Sequence, residues 1–277
     1  MTSRAAALVV LVAAGIALFA AHLVAPGPAD FYIEPVTGMV LVAVRPGSFM
    51  MGSTESEPGR NDDEYLHRVT ISQLFYIGQH EVTQAEWGRV MHTNPSRFTG
   101  CEKCPVEQVD FYQVNEFLSR LNAGNTAVRF RLPTEGEWEY ACRAGSRTAF
   151  STGEQLTTSQ ANIDTRYAPA GSEDGAAYEK TLPVGGFAAN KWGVHDMHGN
   201  VWEWTNDWYG PYDPRQEIDP RGSETGTRKV IRGGSWRFDA NSARCALRYT
   251  HAPQDKGDSL GFRVVAEPRR ARRGRTL

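Results

Sequence analysis

The chain has 277 residues, with 30 Lys and Arg against 32 Asp and Glu for a formal net charge of −2. That balance argues against a nucleic-acid partner, whose phosphates demand a basic face. The 27 glycines and 15 prolines imply many turns and long irregular segments around a modest amount of regular structure. No linker-like stretch, charge break or repeat divides residues 31–267, so one domain is expected there.

In chain order, Ala5 to Ala25 carries no charge and only His22 as a polar interruption, with Arg4 before it. Such a run is long enough to span a bilayer. It is long for a cleaved signal sequence, and no small-x-small site precedes Pro26, but either reading exports the remainder of the chain. The expected layout places residues 1–4 in the cytoplasm, 5–25 in the membrane as anchor or signal sequence, and 26–30 as a stiff spacer. The domain would then stand on the periplasmic face of a bacterial inner membrane. Residues 268–277 are a basic tail, read as solvated rather than as a contact with lipid or an acidic partner.

Met39–Val44, Gly47–Gly52, His67–Ile71 and Leu74–Ile77 read as strands, with a polar surface loop over Glu55–Glu64. Three capping boxes open helices. Thr83 with Glu86 opens the first, Asp110 with Gln113 the second, and Thr134 with Glu137 the third. The second buries Val114, Phe117, Leu118 and Leu121, and the third sets Trp138, Ala141 and Cys142 on one face. Ser146–Lys191 has no periodic pattern, and a segment of that length needs a reason to be ordered. Further on, Lys229–Ile231 reads as a strand feeding a turn at Arg232–Ser235, and Phe262–Ala266 as the last strand.

Gly193–Trp208 is the most unusual stretch. It crowds three tryptophans and several oxygen donors together, with Gly193 and Gly199 free to turn the backbone. Hard oxygens on a tight turn suit calcium, and the expected ligands are Asp196, Gly199, Val201 and Glu203. In an extended segment Trp202 and Trp204 share one face, and Glu203 points away. His195 and His198 give H-x-x-H inside this turn without an evident third ligand, so a structural or surface role is expected rather than iron binding.

Gly193–Trp204 resembles the Gly-Leu-Tyr-Asp-Met-x-Gly-Asn-Val-Trp-Glu-Trp element of the formylglycine-generating enzyme (sulfatase-modifying factor) family. Val44–Gly52, His80–Trp87, Arg131–Gly145, Arg232–Trp236 and Gly261–Arg263 are similar to other elements of that family, in the same order. The resemblance implies an α+β, C-type-lectin-like fold with little regular secondary structure and long ordered loops. It also implies a second calcium site at Asn162, Ile163 and Asp174, although the spacing after Asp174 departs from the family pattern. Cys142 is implied to be bridged to Cys245, with Cys101 and Cys104 as the other pair. Gly100 and Pro105 around Cys101–Cys104 suggest a turn staple rather than a thioredoxin-like redox motif.

Catalytic members of the family hold copper with two cysteines in the stretch after Gly-Gly-Ser. Here that stretch, Trp236–Arg244, contains no cysteine, and one remaining thiol cannot supply the paired soft ligands copper(I) prefers. Structural calcium and no copper are therefore expected. Arg232, Ser235, Trp236 and Arg237 are the candidate groove residues. Arg232, Arg237, Arg244 and Arg248 either pair with Asp239, Asp255 and Asp258 or bind an anionic ligand or acidic partner. Two functions fit. One is a non-catalytic module that binds a periplasmic protein, such as a secretion-system-associated serine/threonine kinase under its regulation. The other is a periplasmic tailoring enzyme with altered chemistry.

Overall fold

The computed structural model describes residues 30–166, 177–213 and 218–269. The described chain runs β1 (Phe31–Ile33), β2 (Val40–Val44), β3 (Gly47–Met51), β4 (His67–Ile71) and β5 (Phe75–Gly78). It continues through α1 (Gln84–Met91), α2 (Phe111–Ala123), β6 (Val128–Arg131) and α3 (Glu135–Arg143). After a long irregular segment come β7 (Trp202–Trp208), β8 (Lys229–Arg232), a 3-10 turn at Ala240–Ala243, β9 (Tyr249–His251), β10 (Leu260–Gly261) and β11 (Val265–Pro268). This is an α+β fold with little regular structure, as the resemblance implied.

One sheet has the order β1-β2-β5-β11-β6, a second β10-β7-β8-β9, and β3 pairs only with β4. The last strand, β11, lies between β5 and β6 and is antiparallel to both, so the two ends of the domain close on one another. The single strand expected at Phe262–Ala266 is instead divided. β10 runs parallel to β7 and β11 joins the other sheet, so the intervening Phe262-Arg263-Val264 crosses between sheets and is fully enclosed.

All three capping boxes form as read, with the N-cap side chain accepting from the N3 amide and the N3 side chain accepting from the N-cap amide. α1 and α2 bury one face each, and Trp87 stacks on Phe117 with ring centroids 5.3 Å apart. α3 differs. All nine of its residues are buried, including Glu135, Glu139 and Arg143, which an amphipathic pattern would have turned to solvent. The loop Glu55–Glu64 is likewise not all surface, since Glu64 is fully buried against Arg244.

Both disulfides are as implied. Cys101–Cys104 closes a short turn, and Cys142–Cys245 ties α3 to the segment after β8 across a separation of 103 residues. Residues 5–25, the spacer to residue 29 and the tail from residue 270 lie outside the described residues. Among the described residues no helix is long and apolar enough to cross a membrane. The expected location on the inner membrane through an N-terminal anchor is corrected accordingly, because nothing in the structure supports it.

Candidate functional site

The turn leading into β7 is built from backbone that ordinary residues avoid. Asp196, Gly199 and Asn200 have φ of 56°, 81° and 62°, and a Cβ on Gly199 would stand 2.3 Å from the Asn162 carbonyl oxygen. Only glycine fits there. The close approach lets Asn200 N–H donate to the Asn162 carbonyl, while the Asn162 amide donates to Asn200 Oδ1 at 3.0 Å. The two expected calcium regions are therefore adjacent, joined through Asn162 and Asn200. Asp174 lies outside the described residues.

The residues present fit a hard cation in part. Asn162 Oδ1 and Glu81 Oε2 are buried without a hydrogen-bond partner, and such orphaned oxygens are costly unless something outside the chain satisfies them. Glu81, absent from the expected ligand set, is fully enclosed. Burial first, then the charge of Asp196, push its carboxyl well above the usual range, against a downward pull from Arg263. Glu203 is placed differently from the expectation. Arg263 donates to both of its oxygens, at 2.6 and 2.7 Å, and Trp138 Nε1 donates at 2.7 Å.

Among the described residues, the ligand atoms of only one trio of such side chains lie within 4.8 Å of one another: Cys142, His198 and Cys245. Their sulfurs are closed in the disulfide. His198 Nδ1 donates to the Ala243 carbonyl at 2.8 Å and Nε2 accepts from the Ser151 amide at 3.0 Å. Burial holds this ring down at about 4, so it stays neutral and structural. A cation at the Asp196 turn would consequently draw on backbone carbonyls, such as those of Gly199, Ile163 and Val201, as much as on carboxylates.

The groove candidates separate by depth. Arg232 and Ser235 are fully buried. Arg232 donates to the Cys245 carbonyl at 2.9 Å and pairs with Glu139, so its assignment to the groove is corrected: it is an interior ion-pair partner. Trp236 is buried too, its indole donating to the Asp258 carbonyl at 3.0 Å. Arg237 alone of the four reaches solvent, half-exposed and paired with Asp258 at 2.7 Å. It borders a 380 Å³ cleft with Asp164, Arg166, Glu179 and Trp236.

The arginines are paired, but mostly not with the aspartates expected. Arg244 binds Glu64 and Glu57 and Arg248 binds Glu135, while Arg237 and Asp258 are the one expected pair that forms. Sequence reading missed the glutamates because they sit 113 to 187 residues away.

It also missed an aromatic platform beside Arg237. Trp202 stacks on Tyr249 at 5.3 Å and meets Phe238 edge-on at 5.5 Å. Tyr249 and Phe238 are 47% and 36% exposed, and the buried Trp202 indole N–H has no acceptor. Only the tryptophan carries a sequence signal, since Phe238 and Tyr249 come from separate segments after β8 with no common spacing. No cysteine of the chain is free.

This fold has known relatives. The chain belongs to the sulfatase-modifying factor family: residues 29–268 match the family described as "Sulfatase-modifying factor enzyme 1-like domain". It is 29% identical to the serine/threonine-protein kinase pkn1 of Chlamydia caviae over 256 residues, which are 81% of this chain and 37% of that protein. It is 27% identical to the formylglycine-generating enzyme of Mus musculus over 287 residues, covering 84% of this chain and 77% of that one. Among solved structures, PvdO from Pseudomonas aeruginosa is similar with a TM-score of 0.76 and 31% identity, over 88% of this chain and all of that one. The chain thus spans little more than a third of its kinase relative.

Proposed function

We propose that this chain is a non-catalytic member of its family that works by binding a protein segment across the Trp202–Phe238–Tyr249 platform. The observation that carries the reading is the fate of the thiols: all four cysteines are in disulfides, and Trp236–Arg244 supplies none. Thiolate-held copper chemistry has no ligands in this chain. What remains at that position suits recognition, because exposed aromatic rings beside an arginine are typical anchors of protein interfaces. Similarity to a chlamydial serine/threonine kinase over most of the chain supports a kinase as the partner such a module would regulate.

The test has two arms. Full-length protein incubated with copper and a Cys-x-Pro-x-Arg peptide should yield no aldehyde by mass spectrometry, and an aldehyde product overturns the reading. The protein should also retain a serine/threonine kinase from extracts of its own cells, and Tyr249→Ala should release it. A small molecule that co-purifies on the platform in place of a protein would favour an enzyme of altered chemistry.

The same reading includes structural calcium at the Asp196 turn and at Asn162. The support is the orphaned oxygens of Glu81 and Asn162, whose side chains both hydrogen-bond Asn200 of the left-handed turn. Its role would be to hold the turn beneath the platform.

A further inference from the structure

Beyond β7 the chain runs Tyr209-Gly210-Pro211-Tyr212 and, with Asp62, Asp63 and Tyr65 of the loop between β3 and β4, lines a cleft of 560 Å³. That volume falls in the range of about 300–1,000 Å³ typical of small-molecule sites. Its walls are aromatic. Tyr65 is 62% exposed and Tyr209 38%, and behind them His67 stacks on Tyr65 and packs on Tyr212 with centroids 4.6 Å apart.

These rings already hold one cation. The Arg248 guanidinium carbon lies 4.0 Å from the Tyr212 centroid and 4.9 Å from that of Tyr209, and Glu135 neutralises it with bonds of 2.7 and 2.9 Å. The cleft itself carries two further carboxylates. Asp63 accepts from the Tyr209 hydroxyl at 2.8 Å. Asp62 is fully exposed, with Arg60 no nearer than 3.8 Å. Of the residues that line the cleft, Asp62 and Asp63 are acidic and none is cationic.

We propose that this cleft binds a small molecule carrying an alkylated ammonium group, seated on the open faces of Tyr65 and Tyr209 and balanced by Asp62 and Asp63. Ring faces attract such a cation through their quadrupole, and bulky alkylation lowers the cost of stripping its water. Two lining carboxylates with no lining cation favour a cationic guest. A purely apolar ligand would gain nothing from Asp62 and Asp63, and an anion would be repelled. The site stands apart from the Trp202 platform and does not depend on the function proposed for it.

The probes are choline and its uncharged isostere 3,3-dimethylbutan-1-ol, titrated into the full-length protein by calorimetry or by NMR of the ligand. Choline should bind saturably and the isostere at least roughly tenfold more weakly, the factor expected for a desolvated cation–π contact. Tyr65→Ala should weaken choline binding by a similar factor and Tyr65→Phe should restore it, because the ring face is what binds; the side chain is exposed enough for both variants to fold. Asp62→Asn should weaken choline and leave the isostere unchanged. Equal binding of the two probes, or no saturable choline binding to the wild type, overturns the proposal.

Discussion

Two buried charged regions of this domain are arranged in opposite ways. Around α3, Glu139 accepts from Arg143 and pairs with Arg232, and Glu135 is held by Arg248 and flanked by Arg232 at 3.4 Å. Two carboxylates thus meet three guanidiniums. Under the Asp196 turn, Arg263 pairs with Glu203 alone and pulls on the Glu81 and Asp196 carboxyls only through its charge, with one Glu81 oxygen orphaned. In the first region both carboxylates are paired by the chain itself, at the cost of desolvating many charges. The second leaves two carboxyls that burial pushes above their ordinary range, the kind of setting that a cation from outside the chain would relieve.

The comparison breaks most severely at Arg232. Replacing it with methionine leaves Glu139 and Glu135 buried with a partner lost, and removal of one member of such a pair costs about 3–5 kcal/mol. Urea denaturation should show that loss, and a loss near that of a surface pair would mean water reaches the network.

The second region should respond to calcium instead. Calcium at about 100 times its dissociation constant should stabilise the wild type by about 2.7 kcal/mol, read as a higher melting temperature than in a chelator. Glu81→Gln should shrink that difference while melting at or above the wild type in chelator, because the amide stands in for the protonated acid that burial favours. Identical melting with and without chelator would remove calcium from the account.

A further test is one of pH. Burial, then the charge of Glu135, raise Asp207 from 3.8 to about 8. The fold therefore keeps a proton that the unfolded chain releases above 3.8, and this contribution is present at low pH and lost as pH rises toward about 8. Glu107, raised by burial to about 7, acts in the same direction. His198, lowered from 6.5 to about 4, acts oppositely and loses stability as pH falls through that window. Asp207→Asn mimics the protonated acid and can still accept from the Glu135 amide, as Asp207 does at 2.9 Å. It should lose less stability than the wild type between about pH 4 and about pH 8, with the side below that window unchanged. Parallel curves for the two proteins would show that Asp207 is ionised in the fold.

How far the sequence carried these features depended on their range. The capping boxes of Thr83, Asp110 and Thr134 were legible because each is closed within four residues. The turn at Gly199 and the face shared by Trp202 and Trp204 were legible for the same local reason. Glu81 as part of the acidic cluster, the Tyr65–Tyr209 cleft and the Phe238–Tyr249 platform were not, since each joins segments with no common period or spacing.

By itself the sequence determined the family, the helix starts, most strands and the loss of thiols after Gly-Gly-Ser, all properties of residue identity at short separation. Only the tertiary structure decided which charges are interior. A glutamate on α3 reads as solvent-facing until a strand 93 residues away brings Arg232 to meet it. Desolvation depends on everything packed around a group, and no local pattern records that.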